Sequence, residues 1–157
     1  MSKRLTLMCL VAAIIVSTAP CLQAQGNPYD KYLTVADIEK ATGMTGIKQV
    51  PREPRKGAGG HLNFADAKGE MILLASFLTA ADFNLYKNNK EMVKSTVQDL
   101  GDEAMIGPAI DLPYMLLVRK GDKCLALSTF ADPQKTGANR LTLDQLKAIG
   151  TLVIGRM

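Results

Sequence analysis

Leu33-Thr-Val-Ala-Asp-Ile38 recurs, with the same chemistry, as Leu78-Thr-Ala-Ala-Asp-Phe83 and as Leu141-Thr-Leu-Asp-Gln-Leu146. Each hexapeptide reads as a helix start. The threonine suits the N-cap, where its hydroxyl accepts one of the first-turn N–H groups that have no partner inside the helix. Three residues on, Asp37, Asp82 or Gln145 can reach back to the N-cap backbone as in a capping box. The two aspartates also face the positive end of the helix dipole. Leu33 with Ile38, Leu78 with Phe83 and Leu141 with Leu146 occupy the two positions of a hydrophobic staple. Three helices follow: Val35 to Thr42 ahead of Gly43, a second from Ala80, and a third from Leu143 to near the C-terminus. The third carries Leu146, Ile149, Leu152 and Val153 on one face.

Between the helices the pattern changes to short apolar runs. Met71 to Phe77 suits a buried strand, and His61 to Phe64 pairs with it across the polar turn Ala65-Asp-Ala-Lys-Gly-Glu70. Tyr114 to Arg119 and Cys124 to Phe130 are joined by Lys120-Gly-Asp-Lys123, a hairpin signal. Ile47 to Val50 and Ala104 to Ile106 are further candidate strands. The expected order is α-ββ-α-ββ-α. Its class is α+β, with an antiparallel sheet built from two hairpins and about three helices, mainly on one face. The repeated start signature suggests two αββ units and a closing helix.

The amino terminus has a different character. Met1-Ser-Lys-Arg4 is basic, Leu5 to Val16 is apolar, and Ser17 to Ala24 is polar and contains Pro20. These are the three regions of a secretory signal peptide, and an apolar run of about a dozen residues is too short to span a bilayer. Cleavage after Ala24 is expected, ahead of a short linker at 25–32 and one domain at 33–157. Cleavage after Ala19 would leave Pro20 just past the cut. Retention as an uncleaved anchor is an alternative. Lipid attachment at Cys21 is another, with Thr18-Ala19-Pro20 in front of it. The expected address is periplasmic or extracellular, with no transmembrane span in the mature chain.

Removing the first 24 of 157 residues leaves 133, one domain's worth. Lys3 and Arg4 go with them, so 19 basic and 15 acidic side chains become 17 and 15, a net charge of +2. So balanced a surface offers no electrostatic footprint for nucleic acid. Of the three cysteines only Cys124 lies in the mature part, which excludes an intramolecular disulfide there. With no tryptophan, four phenylalanines and four tyrosines, the core must be aliphatic.

Four places invite a functional reading. Gln49 to His61 holds two prolines and three glycines, with Arg52, Arg55 and Lys56 making it basic. Backbone N–H groups at Gly59 and Gly60 with these cations could gather round an anionic ligand, although a solvated connection is the plainer reading. His61 is the only histidine and has no cysteine partners for zinc. Cys124 opens an apolar strand, where a thiol is inert. In Asp99-Leu-Gly-Asp-Glu-Ala104, Asp99, Asp102 and Glu103 could hold a cation or serve as an acid–base pair, while Gly101 and Asp102 read more plainly as a tight turn. No motif asks for a cofactor or a metal. The leading expectation is a non-enzymatic binding domain at the envelope, its partner an unknown protein or a small anionic ligand. The rivals are a small hydrolase using Asp102, Glu103 and His61, and a tethered lipoprotein.

Val97-Gln-Asp-Leu-Gly-Asp-Glu-Ala104, followed by a hairpin with Lys120-Gly-Asp122 at its tip and a C-terminal helix, resembles small secreted and lipoprotein domains of actinobacteria with a GLGDEA turn. The resemblance implies a structural turn, an exported α+β domain and no catalytic residues.

Overall fold

All three hexapeptides open helices: α1 (Val35–Thr42), α2 (Ala80–Asn88) and α3 (Leu143–Arg156). The computed structural model describes residues 27–51, 60–109, 112–135 and 137–157. At each start the threonine hydroxyl accepts from the backbone N–H of the third helical residue, at 3.2 to 3.3 Å. The side chain of that residue accepts from the threonine N–H in return, at 2.8 to 2.9 Å. Gly43, at φ 72°, turns the chain out of α1, a left-handed conformation that glycine adopts without steric cost. α2 ends at Asn88, where the Asn89 N–H closes the last turn onto the Tyr86 carbonyl.

Seven strands form one antiparallel sheet: β1 (Lys48–Val50), β2 (Gly60–Ala65), β3 (Met71–Thr79), β4 (Ser95–Val97), β5 (Glu103–Ala109), β6 (Leu112–Lys120) and β7 (Lys123–Thr129). Their spatial order is β1-β2-β3-β7-β6-β5-β4. The expected class and the two hairpins stand, β2–β3 and β6–β7. The element order is fuller than expected, α-βββ-α-ββββ-α. The candidate strands over 47–50 and 104–106 are present in β1 and β5, each hairpin being extended outward into a meander. β4 had no local signal because it is three residues of Ser-Thr-Val at the sheet edge, held only by pairing with β5.

Strand alternation divides the helices between two faces. Along one register line Leu62, Ala75, Leu127, Leu116 and Ile106 face the same way. With Phe64, Leu73, Phe77, Leu125 and Val118 they meet Ile38 of α1 and Leu146, Ile149 and Val153 of α3 in the main core. On the opposite face α2 brings down Phe83 onto Met105, Met115, Leu117, Cys124 and Ala126. Two helices thus share one face and the third covers part of the other. Residues 27–32, expected as a linker, pack against the domain: the Tyr29 ring stacks on Phe77 at 4.6 Å between centroids.

Polar clamps fix the helices over the main core. Arg156, at the end of α3, donates to both carboxylate oxygens of Asp37 at 2.6 and 2.8 Å and to the Tyr32 carbonyl. Lys120 and Lys123, flanking the β6–β7 turn, donate to the Ile154 and Met157 carbonyls, where the helix dipole favours cations. Buried Thr129 donates to the Ile72 carbonyl and accepts from the Leu141 N–H, which sets the entry to α3.

Candidate functional site

Polar residues interrupt the apolar strands on the face that α2 covers only in part. On β2 these are His61 and Asn63, on β3 Ser76 and on β7 Ser128. The register runs Asn63, Leu74, Ser128, Met115, Gly107 along one line. It runs His61, Ser76, Ala126, Leu117, Met105 along the next. The two lines are two residues apart along each strand, so all ten side-chain positions share this face. His61 Nδ1 lies 2.9 Å from the Ser76 hydroxyl, an interaction whose donor follows the imidazole tautomer.

Asn63 and Ser128 are 9% and 5% exposed. Neither the Asn63 carboxamide nor the Ser128 hydroxyl has a hydrogen-bond partner among the described residues. Every fully occluded side-chain nitrogen or oxygen among the described residues does have one. The polar atoms of Asn63 and Ser128 are therefore not fully occluded and remain within reach of solvent. Leu74, half-buried, stands between them. The result is a small floor on the sheet, polar at both ends and apolar in the middle, with donor and acceptor capacity unspent.

A second polar feature lies at the end of the sheet where β2 turns into β3. Arg140, on the approach to α3, donates to Asp66 at 2.8 Å and also pairs with Glu70. A cleft of about 210 Å³ surrounds it, lined also by Met44, Lys68, Asp132 and Gln134. The Asp66 carboxylate is held below the usual carboxylate range, first by the Glu70 N–H, then by the Lys68 N–H and by Arg140. Asp66 is the organiser of its own turn, with Gly69 at φ 86°. Its charge is spent within the fold, so the cleft reads as a clamp between the β2–β3 turn and the start of α3.

The residues singled out from sequence fall in four separate places. Arg52, Arg55, Lys56 and Gly59 lie outside the described residues, as do residues 1–24, expected as a signal peptide, and Cys21 within them. Gly60 opens β2, and a Cβ there would stand 1.7 Å from the Tyr29 ring, so this glycine is required by the packing of that ring. Asp102 accepts from the Gly121 N–H at 2.7 Å, and Gly101 takes φ 64°, the tight turn of the plainer reading. A Cβ on Gly101 would also meet the Arg119 carbonyl at 2.5 Å. Glu103 pairs with Lys87 at 2.6 Å. Three strands separate β2 from β5, which at about 4.8 Å per strand sets His61 about 19 Å from Glu103. Asp102, Glu103 and His61 do not converge.

Cys124 is buried among Phe83 and Met115, and its thiol is pushed up to about 12 by burial and by the nearby Asp82 carboxylate. A thiol so held stays protonated and unreactive at neutral pH. Among the described residues no three His, Cys, Asp or Glu side chains are grouped to hold a metal ion. No described helix is long and apolar enough to cross a membrane. Asn63, Ser76 and Ser128 were missed in the sequence because each is one polar residue inside an apolar run. Only the pairing of β2 with β3 and of β3 with β7 brings them together.

The chain matches no known family model, no curated protein and no solved structure.

Proposed function

We propose that this chain is an exported, non-enzymatic binding domain that works in the cell envelope or outside the cell. The observation that carries the binding half of this reading is the sheet floor of Asn63, Leu74 and Ser128. It holds two nearly buried side chains whose hydrogen-bonding groups are unpaired among the described residues and within reach of solvent. Groups that water reaches and the fold leaves unpaired are free to meet a ligand without breaking an internal hydrogen bond. The nucleophile and the acid–base groups named above support the non-enzymatic half. Cys124 is protonated in the core, Asp102 is engaged in a turn, Glu103 is ion-paired, and His61 stands three strands away.

Export is supported by residues 1–24, whose basic, apolar and polar regions follow one another as in a secretory signal. The near-neutral charge of the remainder fits a protein that meets its ligand by shape and hydrogen bonding. Cell fractionation with mass spectrometry of the mature amino terminus tests the address. The expected result is an envelope or medium fraction whose chain begins at Gln25, while a chain starting at Cys21 with added acyl mass identifies the lipoprotein form. A cytoplasmic chain beginning at Met1 overturns export. A thermal-shift screen against sugars, anions and peptidoglycan fragments tests binding, and no shift with any of them counts against it.

A further inference from the structure

We propose that the Asn63–Leu74–Ser128 floor binds a neutral saccharide unit; this deepens the binding-domain reading above and rests on it. Three properties of the floor point to that class. The first is its layout. Asn63 and Ser128 sit on either side of Leu74 in register, two strand spacings or about 10 Å apart. A pyranose ring has the complementary layout, an apolar C–H face with hydroxyls around its rim. Leu74 takes the face, and the two polar side chains take the rim.

The second property is the absence of charge. The two register lines comprise Asn63, Leu74, Ser128, Met115 and Gly107, then His61, Ser76, Ala126, Leu117 and Met105. None is a carboxylate, ammonium or guanidinium. The charged residues next along this face among the described residues are Glu103 and Arg119, 3.9 Å apart at the far end of β5 and β6, and Lys48 on β1, two residues from the Val50 that pairs with Asn63. Of the α2 residues, Lys87 is spent on Glu103, and Asp82 on its own Thr79 cap. Among the described residues, the two register lines offer an ionic ligand seated on Leu74 no counter-charge for the hydration it would lose. A neutral one loses far less.

The third property is valence. The carboxamide both donates and accepts, and the Ser128 hydroxyl does the same, which is the mixed demand that sugar hydroxyls and acetamido groups make. The Ser76 hydroxyl, already joined to His61, borders the floor on the adjoining line.

The test is a two-dimensional NMR titration of the protein as purified, with N,N′-diacetylchitobiose as the neutral probe and glucuronate as its charged counterpart. Shifts are expected at Asn63, Leu74, Ser76 and Ser128 with the disaccharide and not with glucuronate. N63L and S128A are each expected to bind it at least about tenfold more weakly, a factor read directly from the dissociation constant. S128A keeps the test open if N63L fails to fold. No shift at the floor, or glucuronate bound there as tightly, overturns the saccharide assignment. Inorganic phosphate is the third arm. A shift with phosphate alone leaves the binding-domain reading in place and removes only this assignment, whereas silence from all three probes tells against both.

Discussion

The two faces of the sheet are built from the same seven strands and have opposite characters. The face under α1 and α3 is apolar from β2 to β5, and its helices are tied down by Arg156, Lys120, Lys123 and Thr129. The other face is covered by one nine-residue helix that buries a single large side chain, Phe83. Where that cover ends, the strands present Asn63, Ser76 and Ser128. Because neighbouring residues on a strand point to opposite faces, evolution can alter one surface with little effect on the other. Stability is concentrated on the first face and unspent hydrogen bonding on the second.

The sharpest way to break this contrast is to truncate a residue at the centre of the main core. Leu127 is fully buried between β3 and β6 and faces α3's side of the sheet. L127A is expected to cost about 2–5 kcal/mol, the sum of lost transfer energy and a cavity the strands cannot close. Urea unfolding followed by circular dichroism reads it directly. A loss under 1 kcal/mol would mean that the first face does not hold the fold.

Glycines where each face is closed off give the next effect. Gly60 lies under the Tyr29 ring on the first face, and a Cβ on Gly107 would stand 1.6 Å from the Met92 carbonyl oxygen on the second. G60A and G107A are each expected to lose about 1–3 kcal/mol through overpacking. G107A should lose more, since its obstacle is backbone and the Tyr29 ring can turn aside. The reverse order, measured by thermal unfolding, would show that the chain after α2 sits loosely on the second face.

These two faces also separate what was legible in the sequence from what was not. The capping boxes are local chemistry, each complete within six residues, and all three were readable. So were the two hairpins, whose turns contain Gly69 and Gly121 with positive φ. The split of the helices between faces was not readable. It depends on how β3 hands over to α2 and β7 to α3, and no short segment records that. Nor was the floor: Asn63, Leu74 and Ser128 come from three strands, and their adjacency exists only in the register of the sheet. Asp102, Glu103 and His61 were grouped by residue type alone, and three intervening strands separate β2, which carries His61, from β5, which begins at Glu103.

Acid should probe the two faces unequally. Asp37, on the helix of the first face, is held far below its usual value, chiefly by Arg156 and then by Thr34, against the opposing effect of burial. Asp82, on the helix of the second, is lowered by its own cap residue Thr79 alone. A carboxyl whose folded value is depressed contributes stability that is complete above its unfolded value, about 3.9, and is lost as pH falls through the folded one. The thermal midpoint is therefore expected to hold down to about pH 5 and to fall below about pH 4. D37N should flatten that fall more than D82N, because it also releases the end of α3. Equal slopes would show that the α1–α3 clamp contributes no more than an isolated helix cap.

The smallest expected effect is the most informative about the second face. Ser128 is adjacent to Leu127 and equally deep in the sheet, yet its hydroxyl has no described partner to lose. Removing a hydroxyl that water reaches and the fold leaves unpaired breaks no internal hydrogen bond. S128A is therefore expected to change unfolding free energy by less than about 0.5 kcal/mol, or to raise it slightly. Measured in the same urea series as L127A, the pair sets a large loss beside almost none at consecutive positions on one strand. A loss above 1 kcal/mol for S128A would mean that the hydroxyl is satisfied within the fold. The floor would then be structural, and the case for a ligand on it would fall with that single measurement.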